Sequence, residues 1–502
     1  MDLDQITAET IDLFKAATSG ITSSTGIKGV DLSGLISLIP VETPYRDELA
    51  RTGPEMGSNL AQWEVLLNVN NTQPKPSVAY DAAGKLAKVS QITLQAAYAP
   101  MAMGYTVTRD AIAKARGYAN AQAIAIYNAM NQWKIGEDKM AFGGQNFALA
   151  RPAAPTVTQS DTGGSIAAST ATYVAVAART GSGYFYCDGP GAADGSTAGQ
   201  GNSRANSGNV TTSTVAAATH SVSASVPSVV GAVAYDWFQS PTGAGGSWLY
   251  YTTTTVPSVT MTSTIVANQA PPTTTLPGLS STTPTISTAA DNGSAGTNEF
   301  NGFLASVTGD YVDNGVLVQH GSGLNSSATL IDAAGSQFTV SGGGITQLDN
   351  FNKRYADTTD GLGPSVYRVS SQEANSLSAL VLNNPGAVTY LTMDDAAGRS
   401  QIVAGGRVGS YVNRVTGEQI PIRYYPHMVP GTLTAARYSV PWPNADISRV
   451  EEIRCLDDLY NYVYGSDRAS GGPREDGEAR SLETYINRAP VVCGAIQSIA
   501  AS

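Results

Sequence analysis

The chain has 502 residues, 29 basic against 40 acidic side chains, a formal net charge of −11, and three cysteines. That balance excludes a protein that wraps nucleic acid in a basic groove, which needs clustered Lys and Arg to displace counterions from phosphates. Cys187, Cys455 and Cys493 are too scattered for a disulfide framework, the acidic, amphipathic N-terminus does not read as a secretory signal, and no run approaches the roughly 18 apolar residues of a membrane span.

In chain order, residues 53–100 carry a hairpin signal: AQWEVLLNVN, a tip rich in Pro, Asn, Gly and Lys, then KVSQITLQAAYAP. Two long strands projecting from a body are expected. TRDAIAKARGYANAQAIAIYNAMNQWKIGEDKMAF follows, with Thr108 as N-cap and Asp110 in the first turn. Ala119, Ala123, Ile126, Met130 and Trp133 recur as one stripe, which predicts a single helix of over about seven turns.

Residues 152–298 then change character, holding only seven charged side chains and no lysine, which marks a separately composed domain. Alternating runs separated by turn residues, TYVAVAA, SGYFYC, AVAYDWFQS, SWLYYTTT and SVTMTSTIV, predict the strands of a β-sandwich of immunoglobulin or fibronectin III type. Val233, Tyr235 and Trp237 are expected on one face, with Ala234 and Asp236 on the other. PPTTTLPGLSSTTPTIS reads as an extended linker. Beyond it, NEFNGFLASV, SSATLIDAAG and GGITQLDNFNKRYADTTDG read as mixed helix and strand, SSQEANSLSALVLN as a helix, and GEQIPIRYYPHMVPGTLTAARYS as short strands joined by tight turns. The expected fold class is an α+β body carrying an all-β passenger.

Catalytic constellations are absent from the pattern. There is no phosphate loop, HExxH, GxSxG elbow or metal-spaced Cys/His set. His220, His320 and His427 lie far apart in sequence, and GGRVGS at 405–410 lacks the strand, helix and acidic partner of a dinucleotide site. The acid pairs Asp394/Asp395, Glu451/Glu452 and Asp457/Asp458 read as solvated faces or first turns of helices, and GSDRASGGPREDGEARS at 465–481 as an exposed loop. No catalytic, cofactor-binding or metal-ligating residues are assigned, and no cofactor is expected. The alternative class is a secreted-type or surface hydrolase or adhesin with a β-sandwich binding module.

The order of these segments resembles the major capsid protein of tailed double-stranded DNA bacteriophages, the Hong Kong-type fold. TQPKPSVAYDAAGKLAKVSQITLQ, YTVTRDAIAKARGYANAQAIAIYNAMNQ, GGITQLDNFNKRYAD, IPIRYYPHMVPGTLTAARY and ETYINRAPVVCGAIQSI carry the resemblance, which rests on their order and spans most of the chain outside the low-charge stretch. It implies an N-terminal arm at 1–50, an extended hairpin loop at 51–100, the spine helix of a peripheral domain at 101–150, an inserted immunoglobulin-like sandwich with its linker at 151–290, and axial and remaining peripheral domains at 291–502. It implies self-assembly into hexamers and pentamers of an icosahedral virion capsid, built in the host cytoplasm. The implied partners are scaffolding, portal and cement proteins, with packaged DNA held weakly and without sequence specificity, and no membrane. Trp63, Val65, Leu67, Ile92 and Leu94 are the expected inter-subunit contacts, against the plain alternative of core strands. Some relatives join a loop-tip lysine to an asparagine of the next subunit, which makes Lys75, Lys85 and Lys88 cross-link candidates, against a solubilising role.

Overall fold

A computed structural model of the chain describes residues 41–53, 60–68, 80–81, 83, 90–115, 120–145, 152–167, 171–186, 206–211, 219–240, 249–264, 300–308, 311–313, 316–319, 329–338, 344–359, 361–382, 408–441, 447–465 and 474–501. The chain enters through α1 (Pro44–Glu48) and β1 (Ala50–Thr52), and then forms β2 (Leu60–Asn68), β3 (Ser90–Ala97), β4 (Ala99–Thr108), α2 (Arg109–Ala115) and α3 (Ala121–Gly143). The low-charge stretch follows with β5 (Thr156–Ser160), β6 (Ala171–Arg179), α4 (Gly181–Tyr186), β7 (Asn206–Thr211), β8 (Ser221–Ser225), β9 (Ala234–Ser240), β10 (Leu249–Thr254) and β11 (Ser258–Met261). The rest of the body supplies α5 (Phe303–Thr308), β12 (Tyr311–Asp313), β13 (Val316–Gln319), β14 (Thr329–Asp332), α6 (Gly344–Thr358), β15 (Val366–Val369) and α7 (Ser371–Leu382). It closes with β16 (Ser410–Val412), β17 (Gln419–Tyr424), β18 (Leu433–Ala436), β19 (Glu451–Gly465), β20 (Arg474–Asn487) and β21 (Cys493–Gln497).

β2 and β3 pair antiparallel, with Trp63 opposite Leu94 and Val65 opposite Ile92. Among the described strands they pair with no others. The long helix expected over 108–143 is two helices. Thr108 accepts the Ala111 N–H at 3.3 Å to open α2, and Asn120, in an extended conformation, accepts the Ala123 N–H at 3.1 Å to open α3 afresh. A new N-cap marks where one helix stops and another starts, which apolar spacing alone does not reveal. The expected stripe also shifts: Ala123 is exposed, Ile126 and Met130 half-buried and Trp133 buried, while Ala119 lies outside the described residues. The inward face of α3 is Ala129, Trp133, Glu137 and Ala141, joined by Asp138 and Phe142.

One face of a four-stranded sheet, in the order β1-β19-β20-β4, receives α3. Residues 474–481, read above as part of a loop, are strand. Arg474, Asp476, Glu478 and Arg480 alternate with Glu475, Gly477, Ala479 and Ser481, and the last three are buried. That is the two-residue period of a half-buried strand, hidden by its charge. Tyr105 of β4 lies across Gly477, where a Cβ would collide with the ring.

A six-stranded mixed sheet, β14-β21-β18-β15-β17-β16, forms the other half of the body. One apolar core runs through both halves, including Phe142 of α3, Phe303 of α5, Phe351 and Tyr355 of α6, Ile453 of β19 and Ile496 of β21.

The passenger is a two-sheet β-sandwich, β11-β8-β5 against β10-β9-β6-β7. Val174, Val176, Val222, Tyr235 and Trp237 fill its interior. Three particulars differ from expectation. SGYFYC forms the short helix α4, because the Thr180 hydroxyl accepts the Gly183 N–H at 3.0 Å and Gly181 lies so close to Gly143 that a Cβ would stand 2.7 Å from its Cα. Val233 leaves the face of Tyr235 and Trp237 to join the body's core. The first strand, β5, pairs with β8 rather than with β6, whereas in an immunoglobulin sandwich the first two strands share a sheet. Ser228 also donates a short hydrogen bond to Asp332, so the sandwich is fastened to the body. The Pro- and Thr-rich linker lies outside the described residues.

Candidate inter-subunit surface

The hairpin β2–β3 follows residues 44–52, and these are held by two buried charge clusters. In the first, Arg368 of β15 is wholly buried and reaches Glu451 of β19 at 2.6 Å and Glu48 of α1 at 2.9 Å. Tyr45 and Tyr485 donate their hydroxyls to Glu451 at 2.9 and 2.8 Å, and Tyr425 donates to Glu48 through a short bond. Burial works to raise the Glu48 carboxyl, but Arg368 and the tyrosine hydrogen bonds outweigh it and hold the group below the usual carboxylate range.

The second cluster joins the strand end of this segment to α3 and β20. Arg51 reaches Glu137 by a short contact, Glu483 at 2.8 Å and Asp458 at 2.9 Å. Arg46 also reaches Glu137 by a short contact, and its backbone N–H donates to Asp138 at 2.7 Å. His427 Nδ1 stands 2.6 Å from the second Asp138 oxygen. Both guanidinium groups lie 5.8 Å from the Trp133 ring centre, a cation–π geometry. A segment held this way cannot move without exposing or unpairing buried charge.

The face of the four-stranded sheet away from α3 is open. Tyr460, Tyr462 and Tyr464 of β19 project there, with Tyr462 and Tyr464 edge to face at 5.2 Å. Tyr460 stands opposite Arg480, and Tyr462 opposite Glu478. Beyond them come Ala102 and Gly104 of β4, small and exposed. The result is a strip with three aromatic rings, one cation, one anion and two small residues beside them. Tyrosine at such a position contributes apolar area together with a polar tip, the composition of an interaction surface.

The expected contacts on the hairpin divide. Leu94 is fully buried within its own chain, and Trp63 is half-buried with part of its surface exposed. β13 lies beside β3. The side chains of Val65, Leu67 and Ile92, and the lysines Lys75, Lys85 and Lys88, lie outside the described residues. The described exposed side chains of the hairpin are Gln62, Glu64, Thr93 and Ala97, with Gln62 donating to Gln95 at 3.3 Å.

Glu451 and Glu452, read from sequence as a solvated pair, are both buried on β19. Glu452 accepts from Arg454 at 3.0 Å and Arg488 at 2.7 Å. Asp457 and Asp458 are exposed, and Asp394 and Asp395 lie outside the described residues. His220 is buried 3.3 Å from Asp161, and His320 lies outside the described residues. Among the described residues no group of three or more His, Cys, Asp or Glu side chains is placed to hold a metal ion, and no helix is long and apolar enough to cross a membrane.

No protein-family model and no curated protein matches the sequence. The chain is similar in structure to the capsid of the native GTA particle, at 9% identity over 96% of this chain and 99% of that one, with a TM-score of 0.42. It is similar to the capsid of Myoviridae phage XM1 at 7% identity over 96% and 99%, TM-score 0.43, and to the cyanophage A-1(L) capsid at 11% over 95% and 99%, TM-score 0.42.

Proposed function

We propose that this chain is the major structural subunit of a tailed-phage capsid, assembling into hexamers and pentamers of an icosahedral shell that encloses double-stranded DNA. The observation that carries the reading is a two-stranded arm, unpaired with any other described strand, in a chain that also presents a tyrosine-lined sheet face. In the assembly, the β2–β3 arm of one copy lies on the β19–β20–β4 face of the next. Gln62 and Glu64 then meet the hydroxyls of Tyr460, Tyr462 and Tyr464 and the guanidinium of Arg480. Repeated around a ring, this heterologous contact closes on itself.

The acidic chain lets packaged DNA touch the shell only weakly. Scaffolding, portal and cement proteins complete the assembly in this reading, with the sandwich as a module carried by the shell.

The test uses a background in which Cys187 is replaced by Ser, since Cys455 and Cys493 are buried. Gln62→Cys and Tyr462→Cys are introduced together and the assembled protein is oxidised. A ladder of multimers in denaturing gels, absent from either single variant, is the expected result. A monomer band alone from assembled particles overturns the contact.

A further inference from the structure

The second cluster holds more buried acid than base. Glu137, Glu483 and Asp138 are essentially inaccessible, and the cations among them are Arg46 and Arg51. The other titratable groups facing the cluster are Asp458 and Cys455 of β19, Asp47 against Arg46, and Lys139 and His427 near Asp138. Glu137 already receives Arg46 and Arg51 on its two oxygens. Glu483 receives Arg51 at 2.8 Å and the Cys455 thiol at 3.8 Å on Oε2. Its Oε1 is buried with no hydrogen-bond donor.

A buried carboxylate oxygen without a donor is costly, and here the missing donor is a proton. One guanidinium, that of Arg51, reaches Glu137 with one terminal nitrogen and Glu483 with the other, which brings two buried carboxyls together, and two neighbouring buried carboxyls do not both ionise readily. The geometry points to a proton-held latch: Glu483 carries a proton beside Glu137, and that proton fixes residues 44–52, which precede the β2–β3 arm, to α3 and β20. Burial and the Glu137 charge together raise the Glu483 carboxyl to about 8, against the opposing pull of Arg51. Near neutral pH Glu483 therefore keeps its proton. As the pH rises through that range the proton passes to water, two buried carboxylates face each other across Arg51, and the segment loosens. The direction is that of any acid whose folded-state value is raised: its stabilisation is present at low pH and is lost as pH rises.

The latch belongs to the single chain, and only its consequence, an arm released from neighbouring copies in alkali, rests on the capsid reading. Its test therefore does not depend on assembly. Infrared spectra of the full-length protein, titrated from about pH 6 to about pH 10, report the C=O stretch of a protonated carboxylic acid. Wild type is expected to show a band lost with a midpoint near 8, and Glu483→Gln to lack that titration. In parallel, hydrogen exchange of the peptide covering residues 44–53, corrected for the intrinsic pH dependence of exchange, should lose protection by about tenfold or more from pH 7 to pH 9.5 in wild type and stay level in Glu483→Gln. Absence of the titrating band in wild type overturns the proposal, whether or not the variant folds. An equal loss of protection in both proteins does so too. A latch that behaves as expected in a protein that never assembles sinks the capsid reading and leaves the latch standing.

Discussion

The guanidinium of Arg368 lies 4.7 Å from the centre of the Tyr45 ring, so the six-stranded sheet grips α1 by a cation–π contact as well as through Glu48 and Glu451. Arg368→Ala leaves those two carboxylates in a buried site without their central cation. The expected loss is about 3–5 kcal/mol of unfolding free energy, because breaking a buried pair from one side strands the other charge. Arg368→Lys restores charge but not the forked geometry and recovers only part of it. Urea unfolding followed by circular dichroism measures both, and a loss below about 1 kcal/mol for the alanine variant would contradict this role.

Stability should fall at both ends of the pH scale, for different residues. Glu48 is held below its ordinary value in spite of burial, mainly by Arg368. Its stabilisation is complete at neutral pH and is lost as pH falls through the carboxylate range. Glu483 is raised to about 8, so its contribution is lost as pH climbs from the ordinary carboxylate range toward that value. Melting temperatures from about pH 4 to about pH 9 should form a dome. Glu48→Gln should flatten the acid limb only, and Glu483→Gln the alkaline limb only.

Asn120 opens α3 through its hydrogen bond to Ala123. Asn120→Ala should cost about 1 kcal/mol, felt first as faster hydrogen exchange over residues 121–126. Asn120→Asp, which keeps the acceptor and adds a negative charge at the helix start, should hold or exceed wild-type protection.

Within the sandwich, Asp236 accepts from Arg179 and from Thr253, each at 2.5 Å, at a site with no solvent access for either charged side chain. Asp236→Ala removes the carboxylate that neutralises Arg179 and should cost about 3–5 kcal/mol. Because that damage lies in a module with its own core, calorimetry should split into two transitions, the earlier one reported by Trp237 fluorescence. A single transition shifted as a whole would mean that sandwich and body unfold together.

Where apolar spacing dictates structure, the sequence was readable. AQWEVLL against SQITLQAA, four of the five expected sandwich strands and the helix at 371–382 follow from periodicity, because burial of a patterned face is what forms them. What escaped notice is charged and buried. Glu137, Asp138, Arg368, Glu451 and Glu452 look like surface residues one at a time, and only their partners, tens to hundreds of residues away, make burial tolerable. One signal was available: the alternation of Arg474, Asp476, Glu478 and Arg480 with Gly477, Ala479 and Ser481 has the strand period, yet its charge suggested a loop. The open tyrosine face could not be read, because Tyr460, Tyr462 and Tyr464 become a surface only when β20 and β4 are laid beside them.

The central claim is that copies of this chain join arm to sheet face in a closed shell. Negative-stain electron microscopy of the purified chain, with sedimentation as a measure of mass, tests it most directly. The account predicts closed shells or rings of five and six subunits, lost in Tyr462→Lys while that variant keeps its wild-type melting temperature. A homogeneous monomer or dimer at every concentration and salt condition, with or without a scaffolding partner, would contradict it.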